Sequence, residues 1–482
     1  MSTATGPGHR AASSATQKKK KALAKEALTA ADTPPSLTTG SLWRNIWQLS
    51  WPMLLIMSFD FFVGFADVFV AGLIGPEIQA AVGFVSLLYF FVIIIGNAIG
   101  IGTVALVSRA IGGGDFGRAL EVARQSLLFG LLVAVLVSLG GLVFYRQIVA
   151  LAGLPTEIRE IAETFLRIFA VALGANYLLL ISNALFRASG AVKKPLVTMF
   201  FVMVLNVVGD FALVFGWWII PPLGYPGIAI ATAASVVGGM AINFVFLRRT
   251  QWRAVTRGGW VPVSGTIGQI IRLGWPAAML QIAWNAGTIV LYNILGRLGQ
   301  ESITALAAIA NGLRIEAMIF LPAFALNMTA SVLIGQNLGA GRPDRAERVG
   351  WRIAAAGIVA LSLMAVVVFL RAEDFAALVA RDPAVLAETA SYLRFNMIGQ
   401  PFIALSLSLA GALQGAGDTR GTMWVIVIAM WLIRLPLAWV LALPLGYGAT
   451  GVWAAMVVSM TCQGLLMARR FKGGKWKELK LA

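Results

Sequence analysis

The chain is almost without the residues that most catalytic and metal sites need. Its 482 residues include one cysteine, one histidine and only 12% charged residues. A single cysteine, Cys462, and a single histidine, His9, exclude a disulfide framework, a Cys/His metal site and a histidine-based catalytic triad. No Gly-Lys-Ser/Thr sequence follows any of the glycine-rich turns, so ATP-driven transport has no support. We therefore expect a protein that is not an enzyme and that needs no cofactor.

Apolar residues are what the chain has in excess. They make up 59% of the sequence, and the mean hydropathy is +0.82. A soluble domain could not bury so much apolar surface, so the composition predicts an all-α, polytopic membrane protein. Twelve apolar segments are long enough to cross a hydrocarbon core of ~30 Å. These segments lie near 46–74, 84–111, 120–146, 160–188, 195–220, 226–247, 267–296, 303–338, 348–371, 388–413, 421–444 and 447–468.

The formal net charge of +17 comes from lysines and arginines in short segments between the apolar runs. This placement is typical of cytoplasmic loops and argues against nucleic-acid binding. We therefore expect a multi-pass protein of the inner (plasma) membrane with both termini in the cytoplasm. Residues 1–40 contain a run of four lysines and no apolar core, which predicts a disordered basic tail and excludes a signal peptide. Binding of this tail to anionic lipids is the alternative.

The sequence consists of two similar halves. Trp51-Pro52 is matched by Trp275-Pro276, and the segment 108–114 is matched by 335–341. Two copies of one hydrophobic unit are what a transporter with alternating access needs, since its substrate lies between halves that move against each other. The predicted domains are an N-lobe of six helices at 41–247, a linker at 248–266, a C-lobe of six helices at 267–470 and a basic C-terminus at 471–482.

Ionisable side chains inside the spans indicate the functional residues, because a charge in the membrane normally lines a cavity or has a partner. Asp60 and Asp67 lie on one face of the first span, and Asn206 and Asp210 are neighbours at i, i+4 on the fifth. Thr232 adds a hydroxyl on the sixth. Such a set could carry a proton or supply oxygen ligands to a small cation. Structural hydrogen bonds between helices are the alternative for each aspartate.

The second half does not repeat these acids. Arg434 could brace carbonyls freed by Pro436, pair with a carboxylate such as Glu316, or contact substrate. Glu316 could form a buried pair with an arginine or line the cavity, and Asn285 offers a polar side chain on the seventh span. These three positions, Arg434, Glu316 and Asn285, together with Asp60, are candidate cavity residues, whereas ion coupling is predicted in the first half.

The ordered motifs resemble those of the multidrug and toxic compound extrusion (MATE) transporters. The resemblance covers about 46–470. It depends on Trp51-Pro52 followed by Asp67, on the Asn206/Asp210 pair, and on Arg314-Ile315-Glu316 leading to the Gly-Gln-Asn-Leu-Gly-Ala-Gly run at 335–341. It implies a V-shaped antiporter of twelve helices that expels organic cations and other amphipathic compounds in exchange for H⁺ or Na⁺.

The polar set on the fifth and sixth spans resembles the DinF-like branch of this family, where ion coupling lies in the N-lobe. That resemblance assigns coupling to Asp67, Asn206, Asp210 and Thr232, with H⁺ favoured over Na⁺. The expected partners are an amphipathic, cationic small molecule, the coupling ion and the lipid bilayer, and we expect a monomer. The alternatives are a lipid-linked saccharide flippase of the same superfamily and a metabolite exporter. A flippase should carry several cationic residues in its spans, and Arg434 is the main one here.

Overall fold

The computed structural model describes residues 37–218, 221–257 and 259–481. The predicted tail lies outside the described residues except for 37–40. The all-α fold with twelve membrane-spanning helices is confirmed in the described part of the chain. These helices are α1 (Leu42–Ile74), α2 (Pro76–Gly112), α3 (Phe116–Leu151), α4 (Thr156–Ala188), α5 (Lys193–Phe215), α6 (Pro226–Arg249), α7 (Ser264–Gly296), α8 (Ser302–Gly339), α9 (Pro343–Leu370), α10 (Pro383–Ala416), α11 (Thr419–Ala442) and α12 (Gly448–Lys472).

Most helices extend beyond the apolar segments that predicted them, because their ends have their own start and stop signals. The Asp115 carboxylate accepts a hydrogen bond from the Arg118 amide and caps α3, and Asp382 caps α10 in the same way. Helix α5 ends at Phe215, earlier than predicted, because Gly216 has φ 82 and leaves the helical conformation. Helix boundaries therefore follow caps and glycines more closely than they follow hydrophobicity.

The two halves meet at one end and separate at the other. A hydrophobic cluster with residues of both halves, among them Leu49, Val107, Leu333 and Leu413, lies at the end where the lysine- and arginine-rich loops are. We call this the basic end. At the opposite end, the buried clusters each contain residues of only one half. A cleft between the halves therefore opens away from the basic end.

Glycines allow the helices of the two halves to meet backbone to backbone at the basic end. A Cβ atom on Gly112 of α2 would lie 2.0 Å from the carbonyl oxygen of Gln336 in α8. In the equivalent contact, a Cβ on Gly339 of α8 would lie 2.1 Å from the carbonyl oxygen of Arg109 in α2. Both distances are far below a van der Waals contact, so only glycine fits at either position. The repeat thus produces a reciprocal contact that closes the basic end.

The segment before α1 crosses to the other half. We call residues 37–41 the N-strap. The Arg342 guanidinium donates a hydrogen bond of 2.8 Å to the Thr38 carbonyl. Arg345 donates one of 2.9 Å to the Gly40 carbonyl. Arg342 immediately precedes α9 and Arg345 lies in its first turn, so the N-strap ties the beginning of the first half to the C-lobe.

The segment before α7 makes the equivalent crossing in the opposite direction. We call residues 259–263 the C-strap; it follows a short helix, Arg253–Arg257, in the predicted linker. The Gln125 amide of α3 donates to the Val261 carbonyl at 2.8 Å, and its oxygen accepts from the Val263 amide at 3.0 Å. Each half is therefore tied to the third helix of the other half, and both ties lie at the basic end.

Candidate functional site

Three of the four predicted coupling residues form one hydrogen-bonded group in the N-lobe. The Asn206 amide donates to an Asp67 carboxylate oxygen at 3.0 Å. The Thr232 hydroxyl lies 3.2 Å from each Asp67 oxygen and 3.2 Å from the Asn206 amide nitrogen. Three helices, α1, α5 and α6, thus bring their polar side chains to the same carboxylate.

Asp210 lies beside this group and is fully buried. Its carboxyl is close enough to Asp67 for a hydrogen bond between the two carboxyls. No described N–H or O–H group donates to either Asp210 oxygen. Two ionised carboxylates cannot hydrogen-bond to each other, so the pair needs one proton or a bound cation to be stable in a buried site.

Small residues let α5 and α6 approach closely enough for this arrangement. A Cβ on Gly209, the neighbour of Asp210, would lie 3.0 Å from the Ala231 Cβ on α6. Ala231 in turn precedes Thr232. Because Asn206 and Asp210 are one turn apart, the close α5–α6 contact places both of them against the same stretch of α6.

The oxygen atoms of this pocket suit either a proton or a small hard cation. The Asn206 amide oxygen is buried and has no described donor, as is the case for both Asp210 oxygens. With Asp67 they make a set of carboxylate and amide oxygens of the kind that hard cations prefer. Within the part of the chain that the structure describes, no group of three or more His, Cys, Asp or Glu residues could hold a metal ion. The oxygen atoms of Asp67, Asn206 and Asp210 can thus hold either H⁺ or Na⁺, and their geometry does not distinguish the two ions.

Asp60 lies on α1 outside the hydrogen-bonded group. Its side chain is exposed, and it is close enough to Tyr89 of α2 to act on that side chain through the electrostatic field. Tyr89 also lies beside Asn176 of α4. Neither Tyr89 nor Asn176 was among the predicted residues, although a tyrosine and an asparagine within apolar spans were the signals that could have identified them.

The C-lobe contains a second buried polar group, centred on Glu316 of α8. The Tyr392 hydroxyl donates to Glu316 at 3.0 Å, and the Gln400 amide lies 3.4 Å from its other oxygen. Of the two alternatives for Glu316, the direct pair with an arginine does not occur among the described residues, because the described salt bridges do not include Glu316. Arg434 acts on it only through the electrostatic field.

Arg434 is held by a local change in helix geometry. Residues Ile428–Arg434 of α11 form a π-helix just before Pro436, which has no N–H to continue the regular ladder. The Arg434 Nε donates to the Ser459 hydroxyl at 2.7 Å, and the guanidinium lies 5.1 Å from the centre of the Trp284 ring. Of the alternatives for Arg434, neither a bond to carbonyls freed by Pro436 nor a direct pair with Glu316 occurs among the described contacts, in which Arg434 donates to Ser459.

Asn285 does not join this polar group. Its amide donates at 2.8 Å to the Gln281 carbonyl one turn earlier in α7. This bond is local to the helix, so the structure gives Asn285 no shared contact with Glu316 or Arg434. Of the predicted residues, the structure thus brings Asp67, Asn206, Asp210 and Thr232 together in the N-lobe. In the C-lobe it joins Glu316 to Tyr392 and Gln400, and Arg434 to Ser459.

Known proteins similar to this chain include several bacterial transporters. The multidrug resistance protein PmpM of Pseudomonas aeruginosa is 29% identical over 439 residues, which are 89% of this chain and 90% of PmpM. The uncharacterized transporter YisQ of Bacillus subtilis is 24% identical, with 91% of this chain and 96% of YisQ covered. The probable multidrug resistance protein NorM of Thermotoga maritima is 25% identical, with 86% and 89% covered.

Solved structures share the fold. An outward-facing MATE transporter superposes with a TM-score of 0.82 at 20% identity, covering 93% of this chain and 99% of that one. An aspartate-to-asparagine mutant of the Vibrio cholerae MATE transporter VcmN gives 0.83 at 22% identity, with 91% and 99% covered. The MatE family model matches residues 52–212 and, a second time, residues 276–440. The two matches coincide with the two halves, and together they cover most of the chain, which therefore belongs to the MATE family of membrane transporters.

Proposed function

We propose that this protein is a cation-coupled antiporter that exports amphipathic organic cations by alternating access, with H⁺ as the coupling ion. The observation that carries the proposal is the pair of adjacent carboxyls, Asp67 and Asp210, in one N-lobe pocket. Similarity to proteins named for multidrug resistance supports export of drug-like compounds. The polar set with Asn206 and Thr232 favours assignment to the DinF-like branch.

A proton suits the Asp67–Asp210 pair better than Na⁺. Asp67 already receives hydrogen bonds from Asn206 and Thr232, which stabilise its charged form, whereas Asp210 has none. One proton on Asp210 would provide the missing hydrogen bond between the two carboxyls without moving a helix. Bound Na⁺ would require the pocket to direct five or six oxygens at one point, and the Asn206 amide now presents its N–H to Asp67.

Coupling requires that the ion change the relative stability of the two conformations, because an ion that binds both equally shifts nothing. The pocket joins α1 to α5 and α6, so loss of the shared proton would leave two charges side by side and force these helices to rearrange. A membrane potential of 100 mV supplies about 2.3 kcal/mol per inward charge. This energy drives the exchange only where net charge moves inward, as for a neutral substrate or for more than one H⁺ per organic cation. A 1:1 exchange with a monovalent cation moves no net charge and is driven by the pH gradient, at about 1.4 kcal/mol per pH unit.

The described conformation supports the alternating-access part of the proposal. The reciprocal Gly112 and Gly339 contacts and the two straps hold the halves together at the basic end, and the cleft opens at the other. Transport would need the opposite state, in which these contacts break and the cleft opens at the basic end. Substrate that enters the cleft from the basic end would be released at the opposite end when the halves return to the described conformation.

The experiment that tests the proposal is efflux measured in energised inverted vesicles with the H⁺ and Na⁺ gradients set separately. We expect a pH gradient alone to drive accumulation of a fluorescent organic cation, and a Na⁺ gradient alone to drive none. Accumulation that follows only the Na⁺ gradient would reassign the coupling ion. Accumulation that neither gradient affects would contradict antiport.

We expect the basic end to face the cytoplasm of a cell whose inner membrane holds the protein. The test compares Arg253→Cys, which is exposed at the basic end, with Arg381→Cys, which is exposed at the other end, both in a Cys462→Ala background. A membrane-impermeant maleimide should label position 381 in intact cells and position 253 only in inverted vesicles. The reverse pattern would overturn the orientation.

A further inference from the structure

Asp60 differs from the other two N-lobe aspartates in being accessible. It lies midway along α1 and is surrounded by protein at longer range, yet its side chain is exposed. Asp60 shares a helix face with Asp67, whereas the exposed apolar side chains of α1 lie on the opposite face, at Phe62, Phe65 and Phe69. The exposure of Asp60 is therefore towards the interior of the N-lobe. Gly64, one turn further along α1, has open space where a side chain would be. The face of α1 that carries Asp60 and Gly64 thus borders a groove that leads towards Asp67.

No described group neutralises Asp60. It accepts no described hydrogen bond, and the described salt bridges do not include it. The charged groups that act on the same neighbour, Tyr89, are Asp60 and Asp67, both acidic. A carboxylate in this position is costly unless a cation binds to it. Since no cationic side chain of the described protein does so, the charged form of Asp60 requires a mobile cation.

The groups beside Asp60 are those of a receptor for an organic cation. Helices α1 and α2 are antiparallel and meet at Gly75. Because Asp60 and Tyr89 are nearly equally far from Gly75 along the chain, they lie at the same level along the helix bundle. Tyr89 adds an aromatic ring, held against Phe169 with 5.0 Å between ring centres. Asn176 adds an amide oxygen that is buried and has no described donor. A carboxylate, an aromatic face and a free acceptor together suit an ammonium or phosphonium group.

The same set is poor for the coupling ion. Na⁺ needs several oxygens at short distance, and Asp60 has no oxygen partner of the kind that surrounds Asp67. A shared proton needs a second carboxyl in contact, which Asp67 has in Asp210 and Asp60 lacks. The seven-residue spacing corresponds to about 10 Å along a helix, so a cation on Asp60 and a proton at Asp67 can be present as separate ligands.

We propose that Asp60, with Tyr89 and Asn176, forms the subsite that binds the cationic group of the substrate, distinct from the coupling pocket at Asp67 and Asp210. This inference rests on the proposed function for its biological meaning. Binding itself can be measured without any ion gradient, so the two proposals can fail separately.

The experiment uses two probes with the same shape and opposite charge, tetraphenylphosphonium and tetraphenylborate. Their affinities for purified full-length protein are measured by equilibrium dialysis. We expect Asp60→Asn to weaken phosphonium binding about 10-fold, which corresponds to about 1.4 kcal/mol, and to leave borate binding equal or tighter. Asp60→Glu should restore phosphonium binding to within about threefold, because it keeps the charge.

The matched control is Asp374→Asn, which removes the same charge from an exposed acid in the short helix Ala372–Ala377, outside the spans. It should bind both probes like the unaltered protein. Retained borate binding shows that a variant is folded. If Asp60→Asn loses borate binding, the measurement is repeated with Asp60→Ser. Unchanged phosphonium affinity in a folded variant without the carboxylate overturns the subsite, as does unaltered protein that binds no phosphonium.

If phosphonium binding depends on Asp60 but no gradient drives efflux, the subsite stands and the antiport proposal fails. If efflux is gradient-driven and independent of Asp60 for every cation tested, the antiport proposal stands and the subsite fails. Neutral substrates provide a further check, since their efflux should be unaffected by Asp60→Asn.

Discussion

Replacing Asp67 or Asp210 with asparagine is expected to reduce gradient-driven efflux to the level of vesicles that lack the transporter. Asparagine keeps the size of each side chain but cannot carry a proton. In Asp210→Asn, the new amide can donate to Asp67 and imitate the protonated pair, so the protein should remain folded in a single protonation-like state. Efflux of a fluorescent cation from energised inverted vesicles measures the loss.

A second readout separates loss of coupling from loss of substrate binding. Both asparagine variants should still bind tetraphenylphosphonium within a few-fold of the unaltered protein, because its proposed subsite lies at Asp60. Asn285→Ala is the matched control: Asn285 is a polar residue of a span that bonds only to its own helix, so this variant should pump normally. Normal pumping by Asp67→Asn would exclude Asp67 from coupling.

The grouping of the N-lobe polar side chains could be predicted from the sequence because its signals are local. Asp67 is an acid in an apolar run, and the i, i+4 spacing of Asn206 and Asp210 places them on one helix face whatever the rest of the fold does. What the sequence could not provide was the distance between helices. That Asp210 lies against Asp67 depends on the close α5–α6 contact at Gly209, which only the folded packing reveals.

The partners of Glu316 and Arg434 were harder to predict for the same reason. Charge complementarity suggested a direct contact with an arginine or a carboxylate. The structure instead satisfies Glu316 with neutral donors, Tyr392 and Gln400, and turns Arg434 towards Ser459 through a π-helix. A one-residue change of helix register is a tertiary effect with no reliable sequence pattern beyond the nearby Pro436.

For the two straps, the sequence predicts that a contact should be repeated but does not predict which contact it is. The internal repeat is visible in the sequence, and it implies that a contact made once should occur twice. The segments before α1 and α7 nevertheless share no sequence motif, since 37–41 is Leu-Thr-Thr-Gly-Ser and 259–263 is Gly-Trp-Val-Pro-Val. Nothing in them predicted that each crosses to the other half. Repetition predicted the symmetry of the fold, and the structure was needed to find which surfaces the symmetry pairs.

Valine at Gly112 is expected to open the basic end. A Cβ at this position would lie 2.0 Å from the Gln336 carbonyl oxygen, and overpacking of this kind typically costs about 1–3 kcal/mol. The strain exists only while α2 and α8 are in contact, so the substitution destabilises the closed basic end and leaves the open one untouched. The ratio of the state open at the basic end to the state closed there should rise about 10- to 100-fold. Active efflux should fall because the transporter no longer returns readily to the closed state.

The shift can be measured by the reactivity of Ala188→Cys in a Cys462→Ala background. Ala188 is fully buried and its carbonyl accepts a hydrogen bond from Gln336 at 2.7 Å, so a thiol there should react slowly with a maleimide applied at the basic end. Adding Gly112→Val should accelerate the reaction at least about 10-fold. Gly268→Val is the control, because a side chain there meets open space.

Because the glycine contact occurs twice, a second substitution allows a stricter test than Gly112→Val alone. Gly339 meets the Arg109 carbonyl oxygen as Gly112 meets that of Gln336, so Gly339→Val should accelerate labelling to a similar extent. Combining the two should add little, because both act on the same contact and one strained side is enough to separate the helices. Fast labelling accompanied by a collapse of the thermal unfolding transition would indicate misfolding. Slow labelling in a folded Gly112→Val protein would mean that the glycine contacts do not hold the basic end closed.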